Sequence, residues 1–432
     1  MQWPNMESLS PRDLDVASTT ILQAARRARR RVRHRGFRTG QRRTRLRIID
    51  ACEQGGRRAA TDMNNRLCEM FGIDVPIFAF SHCRDVVVEV SKAGGLGVLG
   101  MARMSAERVD AELSWIDERI GGRPYGIDIL NPASYEPLGD RKFDPDRLFP
   151  EAQRAFVERV LDEAGIPPLP ATDAEAIVKA MVEQFTFTPE ESARMIEIAI
   201  AHPIALIVNA LGSPSRELVE RAHAKGIRVA AMAGAVKHAL RHRDAGCDFV
   251  IAVGTEAGGH TGSTTSMVLW PRIVDAVAPL PVLGAGGVGR GRQMAAALAL
   301  GCEGVWCGSV WLKTVESEVT PEIKQKMFEA GSDDAVLTRS VTGKPCRTLR
   351  SRFTDAWDRP DAPPTLPAPL QALLWWGQGR TRVERVCAKE FLTYPVGQIV
   401  GDLRAETSVR NVVHDMLVEL IESRERLDRL LD

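Results

Sequence analysis

Residues 281–309 read PVLGAGGVGRGRQMAAALALGCEGVWCGS. The stretch opens on a short apolar run, turns through glycines, continues as a small-residue segment of helical composition and closes on a second apolar run. That order describes a strand, a loop, a helix and a parallel strand, the strands apolar on both faces as buried parallel strands are. GAGGVG also resembles the glycine fingerprint of a dinucleotide-binding sheet, but that fingerprint belongs to an opening βα turn followed, about 20 residues on, by an acid. Here the unit comes late in the chain, and the next strand runs into Cys307, Gly308 and Ser309 without an acid.

The same alternation recurs upstream. Runs at 76–80 (PIFAF), 95–100 (GLGVLG), 125–130 (YGIDIL), 204–210 (IALIVNA), 227–232 (IRVAAM) and 248–254 (DFVIAVG) precede those at 281–287 and 304–309. Most are followed by helical stretches such as RDVVVEVSKAGG and SPSRELVERAHAKG. Eight parallel strands with intervening helices predict an α/β chain folded as a (β/α)8 TIM barrel of about 250 residues, which residues 63–313 accommodate; a doubly wound sheet is the alternative. Helices broken by prolines fill 133–202, a helical insertion after strand three placed to form a lid or substrate wall. Residues 314–432 form a C-terminal helical extension expected to pack on the barrel, its last amphipathic helix structural or oligomeric.

Charge is distributed unevenly. The formal net charge of the 432 residues is +1, which excludes a polyelectrolyte binder of nucleic acid, and no apolar run approaches the roughly 20 residues that span a bilayer. Residues 1–62 nevertheless carry 15 arginines, no lysine and six acids. Their run ARRARRRVRHRGFRTGQRRTRLR has no hydrophobic period and reads as disordered, as sequence upstream of a natural start at Met63, or as an arm for an anionic surface. The eight cysteines form no C-x-x-C pair, so free thiols in the cytoplasm are expected.

The barrel's own logic locates the chemistry. Loops after the seventh and eighth strands of such barrels commonly hold phosphate, because backbone N–H groups there face the anion. GAGGVGRG (284–291) and CGSVW (307–311) stand at those places, the second adding the Ser309 hydroxyl. After strand six comes GTEAGGHTG (254–262), one histidine and one carboxylate among glycines that let the backbone approach a flat ligand. His260 is the candidate general base, since imidazole titrates near neutrality and can take a proton from carbon. His82, at the end of strand one, is a further candidate for binding or catalysis. His238 and His242 have helical spacing but no third metal ligand, and read as exposed helix residues; no metal is expected. Cys302 and Cys307 read as buried small hydrophobes.

The runs VKHALRHRDAGCDFVIAVGTEAGGHTG and VLGAGGVGRGRQMAAALALGCEGVWCGSVWL, with AGGLGVLG, TGKPCRTLRSR and VGQIVGD, resemble the nitronate monooxygenase family, formerly the 2-nitropropane dioxygenases, over roughly residues 67–401. The resemblance implies an FMN-dependent barrel with the flavin across its C-terminal mouth. It implies phosphate contacts from Ala285, Gly286, Gly287, Gly308 and Ser309, contacts from Ala79, Phe80, Ser81, Asp128 and Leu130, Gly258 near the ring, and His260 as base. It further implies oxidation of alkyl nitronates by O2 to a carbonyl compound and nitrite. The chain departs from the family pattern at Asp128, where the family carries asparagine: an ionised carboxylate cannot donate the amide's hydrogen bond. Related barrels with a G-G-H signature reduce enones or enoyl thioesters with NAD(P)H, which makes a nicotinamide-dependent reductase the alternative activity and a non-catalytic flavin-binding module the third.

Overall fold

The computed structural model describes residues 65–102, 104–130, 149–170 and 189–432; the arginine-rich segment and parts of the expected insertion lie outside them. Nine strands follow one another as β1 (Ile77–Ser81), β2 (Leu96–Gly100), β3 (Tyr125–Ile129), β4 (Leu206–Asn209), β5 (Arg228–Ala233), β6 (Phe249–Val253), β7 (Gly259–His260), β8 (Val282–Ala285) and β9 (Gly304–Cys307). All except β7 form one closed parallel barrel, in which β9 returns to β1 with Phe78 opposite Trp306. Each predicted run ends within two residues of its strand. The barrel rather than the doubly wound sheet is the architecture.

Two-residue alternation divides the strands between two layers. Phe78, Val98, Val208, Phe249, Ile251 and Leu283 fill the barrel, while Leu99, Ile127, Ile207 and Val229 pack outward. The floor is closed by α1 (Arg66–Phe71), whose Phe71 ring meets Phe78 and Phe249 edge-on at 5.5 and 5.9 Å. Asn65 starts that helix by accepting the N–H groups of Leu67 and Cys68.

Around the barrel run α2 (Arg84–Lys92) and α3 (Ala106–Arg119), followed by α4 (Glu151–Asp162) and α5 (Pro189–Ala201) from the expected insertion. These last two helices part company. Met195, Ile196 and Ala199 of α5 share a core with Val109, Leu113 and Ile116 of α3, which makes α5 the ring helix of the β3–β4 crossover. Phe156 and Val160 of α4 instead join a second core with Phe353, Trp357 and Trp375 of the extension. Arg382, its side chain 2% exposed, ties this contact by donating to Glu158 and to the carbonyls of Ile166 and Pro167.

The ring is completed by α6 (Arg216–Ala224), α7 (Val236–Asp244), α8 (Ser266–Val277) and α9 (Gly291–Ala299), and the chain ends in α10 (Val409–Leu431). The N-terminal half of α10 is buried through Val409, Val412, Val413, Met416 and Leu417, and Glu419 pairs with Arg290 at the start of α9. Gly291 permits this approach, for a Cβ there would stand 1.9 Å from the Met416 carbonyl oxygen and 2.5 Å from the Leu420 nitrogen. Gly291→Ala is therefore expected to lever α10 off α9 and to cost about 1–3 kcal/mol, the usual range for overpacking. Thermal unfolding and limited proteolysis of the C-terminal helix measure this, and unchanged curves would show that the two helices do not meet there.

Candidate active site

The loop between β6 and β7 is built by its glycines and its acid. Glu256 accepts the Ser266 N–H at 3.1 and 3.0 Å and the Ser266 hydroxyl at 2.9 Å, so the only carboxylate of GTEAGGHTG caps the N-terminus of α8. Gly254 lets that helix start approach, since a Cβ would lie 2.1 Å from Ser266 Oγ; at Gly258 a Cβ would lie 2.8 Å from the Gly397 nitrogen. Room expected for a flat ligand at these two positions is taken by the protein's own chain: the head of α8 and a strap from the extension.

β7 leaves the barrel to join a three-stranded antiparallel sheet with β10 (Ala335–Thr338) and β11 (Cys346–Leu349), in which His260 lies opposite Cys346 and Gly259 opposite Arg347. Arg347, 8% exposed, donates through Nε to the Thr255 carbonyl at 3.0 Å and through Nη1 to the Ala335 carbonyl at 2.6 Å. The loop is thus held at both ends. His260 Nε2 meets Thr342 Oγ1 at 3.0 Å, and the Thr342 hydroxyl donates to the Lys344 carbonyl at 3.0 Å. With that proton committed, Thr342 accepts from Nε2–H, which leaves Nδ1 as the basic nitrogen. Neighbouring atoms crowd the imidazole on the protein side while part of it remains open to solvent; this desolvation, with the nearby Lys344 charge, lowers its pKa. The ring is neutral at pH 7, the state a general base requires.

At the barrel mouth the other expected residues fall into two groups. Gly286 (φ +101°) and Gly287 (φ +73°) turn the chain after β8 through two successive positive-φ residues, which glycine adopts without strain. They line a cleft of about 330 Å³ with Glu256, Ser266, Gln293 and Gln398, while Ala285 ends β8 just beneath. After β9, Gly308 leads into a short 3-10 turn, Ser309–Lys313, and a Cβ on Gly308 would meet nothing nearer than the Phe80 ring at 3.8 Å. Ser309 Oγ accepts the Gly397 N–H at 2.8 Å, so its own proton can be offered elsewhere.

The second group rings the mouth from β1 to β3. Phe80 stacks on Trp306 at 6.1 Å and meets His82 edge-on at 5.1 Å. His82 Nδ1 lies 2.8 Å from the Gly100 carbonyl, and Ser81 Oγ accepts the Cys83 N–H. Ala79 is fully buried between the inward residues Phe78 and Phe80, so its side chain belongs to the outward row. Leu130 sits just past β3 beside Ile129 and Met195. Asp128 is 3% exposed on β3, and burial raises its pKa well above the carboxylate range. Burial therefore favours its un-ionised form, which carries an O–H that can donate.

Two other expectations meet the structure differently. His242 is not exposed but 1% accessible: Nε2 donates to the Met232 carbonyl at 3.0 Å and Nδ1 accepts from Ser213 Oγ at 2.8 Å, because this residue shares the barrel-facing side of α7 with Ala239. Cys302 and Cys307 are buried free thiols, as read. Sequence reasoning passed over Thr342, Arg347 and Glu256. The first two stand in TGKPCRTLRSR, a run that carries the family resemblance but whose residues have no motif of their own.

A family model, described as nitronate monooxygenase, matches residues 64–419 of this chain. The chain belongs to the nitronate monooxygenase family. A Mycobacterium tuberculosis protein, Rv1533, which bears the name of a monooxygenase, is 48% identical over 378 residues, covering 85% of this chain and all of that one. Among solved structures, nitroalkane oxidase from Streptomyces ansochromogenes superposes with a TM-score of 0.66 at 23% identity over 83% of this chain and 99% of its own. A FabK M276A variant from Thermotoga maritima gives 0.63 at 23% identity over 85% and 100%. Members of this nitronate monooxygenase family are oxidoreductases, and the chain is an enzyme of that class. No helix among the described residues is long and apolar enough to cross a membrane.

The raised pKa of Asp128 has a consequence for stability. Above pH ~4 the unfolded chain has released a proton that the folded chain still holds, so this group lowers stability as pH rises, by at most about 1.4 kcal/mol per unit until the folded pKa is passed. Asp128→Asn lacks the penalty. Its melting temperature should exceed that of the parent by more at pH 8 than at pH 5, measured by calorimetry; parallel pH profiles would mean that Asp128 is ionised in the fold.

Proposed function

We propose that the chain is an FMN-dependent nitronate monooxygenase that oxidises alkyl nitronates with O2 to a carbonyl compound and nitrite, with His260 as general base. The observation that carries this reading is a neutral imidazole, oriented by Thr342 on a backbone pinned into the extension's sheet, on the loop after β6 of a barrel whose two following loops suit a phosphate. Ala285, Gly286, Gly287, Gly308 and Ser309 would hold the phosphate. Phe80, Ser81, Asp128 and Leu130 would lie along the ring, with Gly258 near it and Ala79 contributing backbone alone. Three features support the fit: positive-φ glycines turn the chain after β8, the Ser309 hydroxyl keeps a proton to donate, and burial disfavours a charge on Asp128 at the mouth. Bound flavin supplies the electron-transfer chemistry through which O2 reaches the substrate carbon.

The chain's own residues then handle the proton. A nitroalkane carries its acidic hydrogen on the carbon next to nitrogen, and His260 Nδ1 takes that proton while Nε2–H stays on Thr342. The resulting imidazolium faces a nitronate anion, an attraction that favours the transfer. Phe80 and Trp306 keep the base of the mouth apolar and exclude water from beneath the ligand.

Anaerobic stopped-flow absorbance tests the reading. Bleaching of the yellow protein by a small alkyl nitronate, with indifference to NADH and NADPH, is the expected result. Bleaching by a nicotinamide alone would replace it with a reductase of activated alkenes. His260→Asn should retain FMN and lower kcat/KM for a neutral nitroalkane by about 10²-fold, the usual scale for loss of a general base. Unchanged turnover would remove His260 from the mechanism.

A further inference from the structure

Near the end of β3 stands an acid with one carboxyl oxygen that no group among the described residues answers. Asp128 Oδ2 is shielded from solvent and has no hydrogen-bond partner, whereas its main-chain carbonyl is engaged by the Met101 N–H at 2.9 Å. Strand alternation puts its side chain on the inward row, because Ile127 and Ile129 on either side pack into the outer helical layer. Its neighbours across the sheet are Gly100 on β2 and Val208 on β4. Neither can bond to a carboxyl group through a side chain. Where a Cβ of Gly100 would stand, His82 Nδ1 lies at 2.7 Å and the Phe80 ring at 2.8 Å, so the ends of β1 and β2 bring an imidazole and a benzene ring over this corner of the mouth.

An isolated ion cannot be kept in such surroundings. Charge in a low-dielectric wall is tolerated only with a counter-charge or several donors, and burial is the sole cause that moves this carboxyl group, with no charged side chain contributing. His82, from the β1 end, is the titratable group beside it; β2 and β4 contribute only glycine and valine. A neutral acid has one O–H, and an O–H without a partner inside the protein is a donor held for something else.

We propose that Asp128 serves as an un-ionised carboxylic acid that donates its O–H to an acceptor on the flavin ring, in the part an amide N–H would otherwise play. The proposal rests on the flavin reading above. It also means that the asparagine-to-aspartate difference conserves a donor below the acid's raised pKa and loses it above, when the acid ionises and turns from donor to repelling anion beside an electron-rich ring.

Two readouts test this without turnover: infrared difference spectra of the un-ionised carboxyl C=O stretch, wild type against Asp128→Asn, and FMN affinity by fluorescence quenching from pH 6 to pH 10. Expected are a deuterium-sensitive band lost in Asp128→Asn, and FMN affinity that falls at alkaline pH in the wild type and stays level in Asp128→Asn. At pH 7 Asp128→Asn should bind FMN about as tightly as the wild type, and Asp128→Ala about 3- to 10-fold more weakly, the worth of one hydrogen bond. Absence of the band overturns the proposal, as does wild-type FMN affinity in Asp128→Ala. A wild type that binds no FMN at any pH overturns the flavin reading itself. That failure is distinguishable, because the band persists without cofactor.

Discussion

Two residues of strand, Gly259 and His260, hydrogen-bonded antiparallel to Cys346 and Arg347, are the joint on which the site turns. A loop after a barrel strand is ordinarily free to move, and a base on such a loop would spend its time out of register. Here the loop is drawn into a sheet supplied by a segment more than 80 residues later in the chain. Arg347 bonds the Thr255 carbonyl at the loop's start, Thr342 fixes the imidazole, and the strap at Val396 and Gly397 closes over Gly258 while Gly397 bonds Ser309. The extension is therefore part of the site as well as a neighbour of the barrel. Loss of its sheet would release the His260 loop and the turn at Ser309 together.

A second node joins the remaining loops. Ser266 donates its N–H to Glu256 and its hydroxyl lies 2.8 Å from the Gly286 carbonyl, so the head of α8 couples the histidine loop to the glycine turn after β8. The arrangement puts a carboxylate where a helix N-terminus favours negative charge. Glu256 is already satisfied by α8 and is turned away from the role of ligand or base that its place in GTEAGGHTG suggests.

Much of this was legible in advance, for identifiable reasons. Parallel strands covered on both faces leave apolar runs such as FVIAV and LIVN that have no competing interpretation, and glycine turns mark where they end. Helix identity was readable at 189–201 but its membership was not: whether a helix belongs to an insertion or to the ring depends on what it packs against, and α5 found α3. His242 was misread for a similar reason. A polar residue among arginines on a helix looks solvated until Ser213 and the Met232 carbonyl are seen to satisfy both ring nitrogens. The glycines of the histidine loop were rightly recognised as sites of close approach, but what approaches is the protein itself.

The sequence by itself determined the barrel, the order of its strands, the glycine-bearing loops after β8 and β9 and the histidine loop that precedes them. Each follows from local patterning: apolar runs, glycine positions, and the rule that the C-terminal ends of barrel strands carry the chemistry. Only the tertiary structure decided which nitrogen of His260 is free of Thr342, that burial favours the un-ionised form of Asp128, and that the extension holds the histidine loop. These properties depend on the electrostatic and hydrogen-bonding surroundings of single atoms. Those surroundings are assembled from residues far apart in the chain, brought together only when the fold is complete.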